Sequence, residues 1–417
     1  MQVDRARYTP SDIGPSPSDW GAPRLSEVST LITNGFVGTA SPFYSNETGV
    51  SYLYGNNVRA NKIDLNNIRY ITREFHQDQQ KTSLRAGDLL TVQSGHIGET
   101  AVVPKHLENA NCHALIVTRL KPKLVNSDFL CQYINSEIGI ARLRGLGVGS
   151  TIAHINTKDL KKFRIPLPPL PEQKKIAAIL STWDRAIEGT EKLLANSQQQ
   201  KKALMQQLLT GKKRLPGFTG EWKTVTIGSL LKEVKRPVEW KDDNFYKLLS
   251  VKRRSEGVVL REVLNGTKIL TKKMNYAQSG DFLISKMQIV HGASGLVPEH
   301  LDNHHISDSY IALCAKNPEK FDIEFFSWLS KERVMYHKTF LCSYGVSIEK
   351  MTFNFNMYLK ENIEIPPTVM EQRAISQLLN TTENEITAIE SDLARLRQEK
   401  KALMQQLLTG KRRVKVN

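Results

Sequence analysis

The stretch KKALMQQLLTGKKR at Lys201–Arg214 occurs a second time as KKALMQQLLTGKRR at Lys400–Arg413. The two copies lie 199 residues apart, and 13 of their 14 positions are identical. Without any gap, the match continues upstream to Pro168 in the first copy and to Pro367 in the second. A match that keeps its spacing over this length predicts two helices of equal length, and therefore a molecule with internal two-fold pseudosymmetry.

Apolar residues in both copies follow the alternating 4-3 spacing of a coiled-coil seam. The seam runs from Ile176 to Leu208 in the first copy and from Ile375 to Leu407 in the second. Each helix has its natural partner in the other copy, and two-fold symmetry requires such a pair to run antiparallel. A single amphipathic helix packed on a globular domain is the alternative, and the length of the pattern disfavours it.

The two helices begin with different signals and end with the same one. The first follows the proline-rich segment Ile165–Pro171, whereas the second begins with a capping box formed by Thr368 and Glu371. Both end before a glycine, Gly211 or Gly410, at the position where a left-handed C-cap is expected.

Globular segments precede both helices, and they are weakly related to each other. The sequence GDLL at Gly87–Leu90 matches GDFL at Gly280–Leu283, and VPKHL at Val103–Leu107 matches VPEHL at Val297–Leu301. Both segments are rich in short β-type runs broken by Gly, Asn and Pro, with one helical stretch each. The predicted fold is α+β, with two globular mixed α/β domains separated by two long helices that form an antiparallel coiled coil.

The pattern also predicts domain boundaries along the chain. They are an N-terminal extension (1–19), a first globular domain (20–166), a central helix (167–214), a second globular domain (215–365), a C-terminal helix (366–410) and a basic tail (411–417).

Composition limits the classes of partner. The formal net charge of +16 favours a polyanionic partner, although a merely soluble basic protein is the alternative. No stretch approaches the roughly 18 apolar residues of a membrane span, so we expect no membrane partner. The four cysteines lack CxxC spacing and suit reduced thiols, which predicts a cytoplasmic location.

No catalytic motif is visible in the sequence. It lacks a Walker loop, GxSxG, HExxH and a glycine-rich cofactor loop. The dipeptide Asn317-Pro318 lacks the second proline and the aromatic residue of the amino-methyltransferase signature. His300, His304 and His305 lie close together but without thiol or carboxylate ligands at metal spacing. We therefore predict a non-catalytic binding protein without a cofactor or a bound metal.

Polar and basic loops contain the candidate binding residues. Lys252–Arg254 follow a strand-like run and are predicted to form a charged hairpin tip. Arg, Lys and Gln side chains can read base edges in the major groove, while Ser and Thr position phosphates. The candidate DNA-binding residues are Gln93, Ser94, His96, Ser150, Thr151, Lys252, Arg253, Arg254, Lys286, Gln288 and Tyr344. For any single loop a solvated turn is the alternative, so the inference concerns the set.

Four segments give the chain a resemblance to a known family. They are IPLPPLPEQ at Ile165–Gln173, LLTGK at Leu208–Lys212 and LPGFTGEW at Leu215–Trp222, and the N-terminal Ser11–Trp20 belongs with them. Together they resemble the specificity subunit of Type I restriction-modification systems, over nearly the whole chain. One departure is the start of the second helix at Ile365–Met370, which is a weakened version of the motif.

The resemblance implies two target-recognition domains held apart by the coiled coil, each reading one half of a split double-stranded DNA site. It also implies two methyltransferase subunits, which carry S-adenosylmethionine and methylate adenine N6, and restriction subunits that translocate and cleave DNA. One alternative is the recognition subunit of a methylation-only or other multi-subunit system. The other is a coiled-coil scaffold with protein-binding domains, which the +16 charge and the divergent domains disfavour.

Equal helix lengths predict that the helices set the spacer of the DNA target. Inserting Leu-Leu-Thr-Gly after Gly211 adds about 6 Å and about one full turn, if the inserted residues stay helical. Because DNA rises about 3.4 Å per base pair along each strand, the gap between half-sites should lengthen by one to two base pairs while the half-sites stay unchanged. A two-residue insertion should abolish modification, since it turns one domain to the wrong side. Mapping methylated sites tests both, and an unchanged spacer in an active four-residue variant would contradict the prediction.

Overall fold

The chain forms two compact units. The computed structural model describes residues 8–9, 13–14, 16–145, 154–345, 347–348 and 351–416. Unit 1 comprises residues 1–191 and 391–417, and unit 2 comprises residues 192–390. Each unit contains one globular part and a portion of both long helices, so the predicted α+β class is confirmed.

Unit 1 contains mostly short strands that precede the first long helix. Its elements in chain order are β1 (Tyr8–Thr9), β2 (Ser16–Pro17), β3 (Ser29–Asn34), β4 (Tyr44–Ser45), β5 (Val50–Leu53), β6 (Val58–Arg59), β7 (Lys62–Ile63), β8 (Arg69–Ile71), α1 (Arg73–Asp78), β9 (Leu89–Val92), β10 (Thr100–Val102), β11 (Asn111–Cys112), β12 (Leu115–Leu120), α2 (Ser127–Asn135), α3 (Glu137–Gly145), α4 (Thr157–Lys162) and the start of α5 (Leu170–Leu208).

The main sheet of unit 1 has the strand order β10-β9-β12-β3 and is antiparallel throughout. All four residues of β9 are buried because both faces of the sheet are covered. Leu89 belongs to a core cluster with Phe129 of α2, whereas its neighbour Leu90 belongs to a second cluster with Leu53 of β5. Successive side chains of a strand point to opposite faces, so the fully apolar run at β9 is what a doubly covered strand requires.

Unit 2 repeats this arrangement. Its elements are β13 (Lys223–Thr226), α6 (Ile227–Leu230), β14 (Leu231–Val234), β15 (Phe245–Val251), β16 (Val258–Asn265), β17 (Met274–Ala277), β18 (Phe282–Ser285), β19 (Ser294–Leu296), β20 (His304–Ser307), β21 (Tyr310–Ala315), α7 (Ile323–Leu329), α8 (Arg333–Leu341), β22 (Ser343–Tyr344), β23 (Thr352–Phe353), α9 (Phe355–Tyr358), β24 (Asn362–Ile365) and the start of α10 (Val369–Leu407). The main sheet has the order β19-β18-β21-β14, which matches unit 1 strand for strand.

The second sheet of each unit follows a shared pattern with one difference. In unit 1 its order is β11-β5-β8-β4, and in unit 2 it is β16-β15-β20-β17. The pairs β5–β11 and β15–β20 are both parallel. In unit 1 the fourth strand, β4, pairs with β8, on the side of β5 that is opposite its parallel partner β11. In unit 2 the fourth strand, β17, pairs with β20, which is itself the parallel partner of β15. The two units therefore share a frame and differ at the edge of this sheet.

A glutamine in the first turn of each long helix ties that helix to the globular part of its unit. In unit 1 the Gln173 amide oxygen accepts from the backbone N–H of Asn126 at 2.8 Å, and its nitrogen donates to Leu124 O at 3.0 Å. Asn126 in turn is the N-cap of α2. In unit 2 the Gln372 amide oxygen accepts from the N–H of Asp322 at 2.9 Å, and Asp322 caps α7. These contacts explain the glutamine that both copies of the repeat contain.

The glutamate before each glutamine binds an arginine from beyond the end of the other helix. Glu172 is 2% exposed, and both of its oxygens accept from Arg413 at 2.7 Å. Arg413 also donates two bonds of 2.8 Å to Asp19. In unit 2, Glu371 is 1% exposed and accepts in the same bidentate way from Arg214. In each unit a bidentate ion pair between a buried carboxylate and an arginine guanidinium thus joins the start of one long helix to the segment after the end of the other.

The capping box predicted at the second helix is only half formed. The Glu371 N–H donates to the Thr368 hydroxyl at 3.3 Å, as expected. The Glu371 side chain, however, binds Arg214 instead of returning to the backbone of Thr368, because the charge-assisted pair is the stronger interaction. The predicted glycine caps are confirmed, since Gly211 and Gly410 have φ angles of +68° and +72°.

The helices pair antiparallel within each unit. In unit 1, Asp184 of α5 binds Lys400 of α10, and Glu191 binds Arg397 at 2.6 Å. Moving forward along α5 from Asp184 to Glu191 therefore means moving backward along α10 from Lys400 to Arg397, as an antiparallel pair requires. In unit 2 the same trend holds, since Gln198 donates to Glu390 at 3.4 Å and Lys201 binds Glu383. Every seam position that the 4-3 spacing predicts is at least partly buried.

The buried ion pairs predict a specific loss of stability. Arg413→Ala leaves the Glu172 carboxylate enclosed without its partner, and Arg214→Ala does the same to Glu371. Each should lower the free energy of unfolding by about 1–3 kcal/mol, visible in thermal or denaturant unfolding.

The neighbouring Arg412 and Lys213 are exposed and provide matched controls, because Arg412→Ala and Lys213→Ala remove a charge without opening a buried pair. Equal unfolding curves for Arg413→Ala and Arg412→Ala would show that the ion pair between Arg413 and Glu172 contributes nothing to the stability of unit 1.

Candidate nucleic-acid interface

The basic segment of unit 2 forms a hairpin turn, as the sequence predicts. It joins β15 to β16, which pair along their whole length. Lys252, Arg253 and Arg254 are all exposed at its tip. Arg254 and the following Ser255 have φ angles of +59° and +55°, the left-handed region that non-glycine residues seldom adopt. Three adjacent cations thus lie at a turn in which Arg254 and Ser255 adopt the left-handed backbone conformation.

A second candidate loop lies directly against this turn. The backbone N–H of Arg254 donates to His291 O at 2.7 Å, and that of Ser255 donates to Gly292 O at 2.8 Å. Both acceptors belong to the connection between β18 and β19, which also contains Lys286 and Gln288. Candidate residues more than 30 positions apart in sequence therefore meet in one surface, which we call the basic loop pair (residues 252–257 and 286–293).

The two candidate side chains of the β18–β19 connection differ in availability. Lys286 is partly buried, and its ammonium group donates to Asp308 O at 2.6 Å. The side-chain oxygen of Gln288 is enclosed and accepts no hydrogen bond from the described residues. A buried acceptor without a partner is costly, so Gln288 is a polar group that a donor could satisfy.

Tyr344 lies on the short strand β22, which follows α8 and pairs with β23. Its side chain is 61% exposed, which is unusual for an aromatic residue in a strand. The structure therefore leaves its ring available for contact with a partner, and its role in DNA binding stays a prediction.

In unit 1 the corresponding candidates lie in the connection between β9 and β10. Gln93 is 5% exposed, and its amide nitrogen donates to the exposed Asn34 at 2.6 Å. Ser94 is exposed. His96 is partly exposed, and its Nε2 lies 2.7 Å from an Arg59 guanidinium nitrogen and 3.0 Å from Gly55 O. Asn34 and Arg59 have no motif around them, and only this long-range geometry identifies them as candidates.

Ser150 and Thr151 lie outside the described residues, so their proposed contact with DNA stays a prediction.

The second sheet of unit 1 contains a further group that the sequence did not reveal. The exposed Arg69 guanidinium lies 4.8 Å from the Tyr44 ring centroid and 5.4 Å from that of Tyr54. Burial is the main cause that raises the pKa of Tyr54, with its hydrogen bond to Tyr44 next, so the phenol stays protonated and can donate. Burial also lowers the pKa of nearby His113 below its usual range, which favours the neutral imidazole. This cluster offers an oriented guanidinium and aromatic faces.

Other properties of the described residues bear on the class of protein. No helix among them is both long and apolar enough to cross a membrane. Within the same residues, no group of three or more His, Cys, Asp or Glu side chains is arranged to hold a metal ion.

The repeated frame and the basic loops define a class of protein with two related α+β recognition units. Residues 17–196 match the family model described as the Type I restriction modification DNA specificity domain. The putative type I restriction enzyme MjaX specificity subunit of Methanocaldococcus jannaschii is 25% identical, over 98% of this chain and 97% of its own length. The type I restriction enzyme EcoKI specificity subunit of Escherichia coli is 26% identical, over 48% and 43% respectively.

Solved structures agree with this assignment at the level of the fold. The S subunit of a Type I restriction-modification system from M. genitalium has a TM-score of 0.61 and 14% identity, over 93% of this chain and 96% of that one. A further chain, from a type I R-M system, has a TM-score of 0.54 and 19% identity, over 95% and 99%. Residues 17–196 thus match the family model, and nearly the whole chain is similar to a type I restriction enzyme specificity subunit.

The basic loop pair yields a prediction for DNA binding. If Arg253 or Arg254 reads a base, its removal should cost about 1–3 kcal/mol and relax sequence preference at one position. If Lys252 contacts a phosphate, its removal should weaken all sequences alike and lower the slope of log K against log salt by about one. Titration of DNA at several salt concentrations with the single variants and the triple alanine variant measures both effects.

Lys212→Ala with Lys213→Ala is a suitable control, because it removes exposed charge elsewhere in unit 2. Unchanged affinity and salt slope in the triple variant would place this hairpin away from DNA.

Proposed function

We propose that the chain recognises a bipartite double-stranded DNA site, with each unit reading one half-site. It acts as the specificity subunit of a Type I restriction-modification complex. The candidate contacts are the basic loop pair and Tyr344 in unit 2, and the β9–β10 connection with Ser150 and Thr151 in unit 1.

One observation carries the proposal: the two units share their frame but not their loops. The main sheets have the same strand order, and the same Glu-Gln pair anchors both helix starts. In the corresponding connections, however, unit 1 has Gln93, Ser94 and His96, whereas unit 2 has Lys286 and Gln288. A constant scaffold with variable loops suits two domains that recognise different sequences.

The net charge of +16 supports a DNA partner. We further propose that the chain is not itself an enzyme, because its sequence lacks the catalytic and cofactor motifs of methyltransferases and nucleases. Its partners would then be two methyltransferase subunits, which bind along the long helices, and restriction subunits that act on DNA. A protein-binding scaffold is less favoured, because the relative that matches 98% of this chain is a restriction enzyme specificity subunit.

The test of this function is exchange of one unit's globular part. Replacing residues 20–166 with the equivalent segment of a relative should change one half of the methylated motif and leave the other half unchanged. Exchange of residues 215–365 is the matched control and should change the opposite half. Both outcomes are measured by sequencing genomic DNA, with detection of methylated bases, from cells that also contain the methyltransferase partner.

Two results would contradict the proposal. A change of both half-sites after one exchange would refute independent reading by the two units. Transfer of label from S-adenosylmethionine to DNA by the purified chain alone would show that it is an enzyme.

A further inference from the structure

Tyr336 is the residue through which three separate segments of unit 2 meet. It lies on α8 and is partly buried. Its hydroxyl is 2.8 Å from the Ser255 hydroxyl in the basic hairpin turn. Ser255 in turn donates to Gly292 O at 3.4 Å in the β18–β19 connection. One phenol therefore joins the helix, the turn and the connection.

Gly292 is required for this contact. Its φ angle is +74°, which a side chain would strain, and a Cβ built on it would lie 2.2 Å from the Tyr336 hydroxyl oxygen. Any other residue would have to displace the tyrosine ring. The glycine thus allows the phenol to pack directly against the backbone that accepts the hydrogen bond from Ser255.

The turn that Tyr336 contacts has an unfavourable backbone conformation. Arg254 and Ser255 are consecutive non-glycine residues with positive φ, and such conformations persist only where surrounding contacts hold them. Those contacts are the two backbone hydrogen bonds from Arg254 and Ser255 to the β18–β19 connection, together with the hydroxyl pair at Tyr336. Without the phenol, the turn would lose one of the interactions that compensate its strain.

Unit 1 supports its corresponding connection in a different way. Gly98 has a φ angle of +86° and lies two residues before β10, as Gly292 lies two residues before β19. A Cβ on Gly98 would meet Ile140 and Leu143 of α3 at 3.2 and 3.4 Å. The helix after the main sheet therefore supports the connection in both units, through apolar side chains in unit 1 and through a hydroxyl in unit 2.

We infer that Tyr336 is a positioning residue for DNA recognition, which holds the hairpin turn and the β18–β19 connection as one rigid reading element. This inference rests on the proposed function of unit 2. Base contacts carry the sequence information and need side chains held to a fraction of an ångström, whereas phosphate contacts carry no sequence information directly. Loss of the phenol should therefore reduce discrimination between DNA sequences more than it reduces binding to DNA in general.

The experiment uses the complex of this chain with its methyltransferase subunits. It measures the affinity of this complex for DNA that contains the motif it methylates and for scrambled DNA. Tyr336→Phe removes the hydroxyl and keeps the ring, and should lower the specific-to-non-specific ratio by about 3–10-fold, the range of one hydrogen bond. The salt slope should not change, because no phosphate contact is removed. Gly292→Ala should lower the ratio further, and Ser255→Ala should resemble Tyr336→Phe. Val334→Ala, an exposed position on the same helix, should match the wild type.

A double-variant comparison separates positioning from general stability. In a background with Arg253→Ala and Arg254→Ala, Tyr336→Phe should cause little further loss of discrimination, because the side chains that it positions are gone. An additive loss in that background, or an unchanged ratio for Tyr336→Phe alone, would overturn the inference. A wild-type complex that fails to distinguish its motif from scrambled DNA would instead refute the proposed function.

Discussion

A carboxylate removed from water at the start of each long helix constrains the rest of its unit. Glu172 and Glu371 are almost fully buried, and a buried carboxylate without a cation is strongly unfavourable. Each is met by an arginine that follows the end of the other helix, so only an antiparallel pair in this register satisfies it. Because the next residue is the glutamine that binds the cap of α2 or α7, the same two positions fix the helix to its neighbour and to the globular part.

The frame that results from these contacts leaves the loops free to differ. The main sheets are equivalent strand by strand, and one central strand of each, β9 or β18, is buried on both faces. Differences appear at the edge of the second sheet, where a fourth strand joins opposite sides, and in the connections β9–β10 and β18–β19 of the main sheets. Substitutions in these connections can change exposed side chains without disturbing the core, because Gln93 is the only buried candidate among the described residues.

The sequence was sufficient for those features that have a local signal. The 4-3 period predicts the seam, the glycines predict the helix ends, and Lys252–Arg254 predict a hairpin tip. Contacts between distant segments leave no such signal. Tyr336 lies 81 residues from Ser255, and no sequence pattern around either residue predicts the hydrogen bond between their hydroxyl groups. For the same reason the sequence does not predict the burial of Gln93, and it predicts a complete capping box at Glu371 because no local pattern marks the long-range partner Arg214.

The two units differ in when they can be completed. Unit 2 is one continuous stretch, whereas unit 1 needs residues from both parts of the chain: Arg413 reaches Glu172 across 241 positions and Asp19 across 394. At a synthesis rate of about 5–20 residues per second, Arg413 is synthesised roughly 10–50 s after Glu172. Over that interval Ile176 and Leu180 also lack Leu407 and Leu408, with which they share a core. Although its first residues emerge earlier from the ribosome, unit 1 is therefore completed after unit 2.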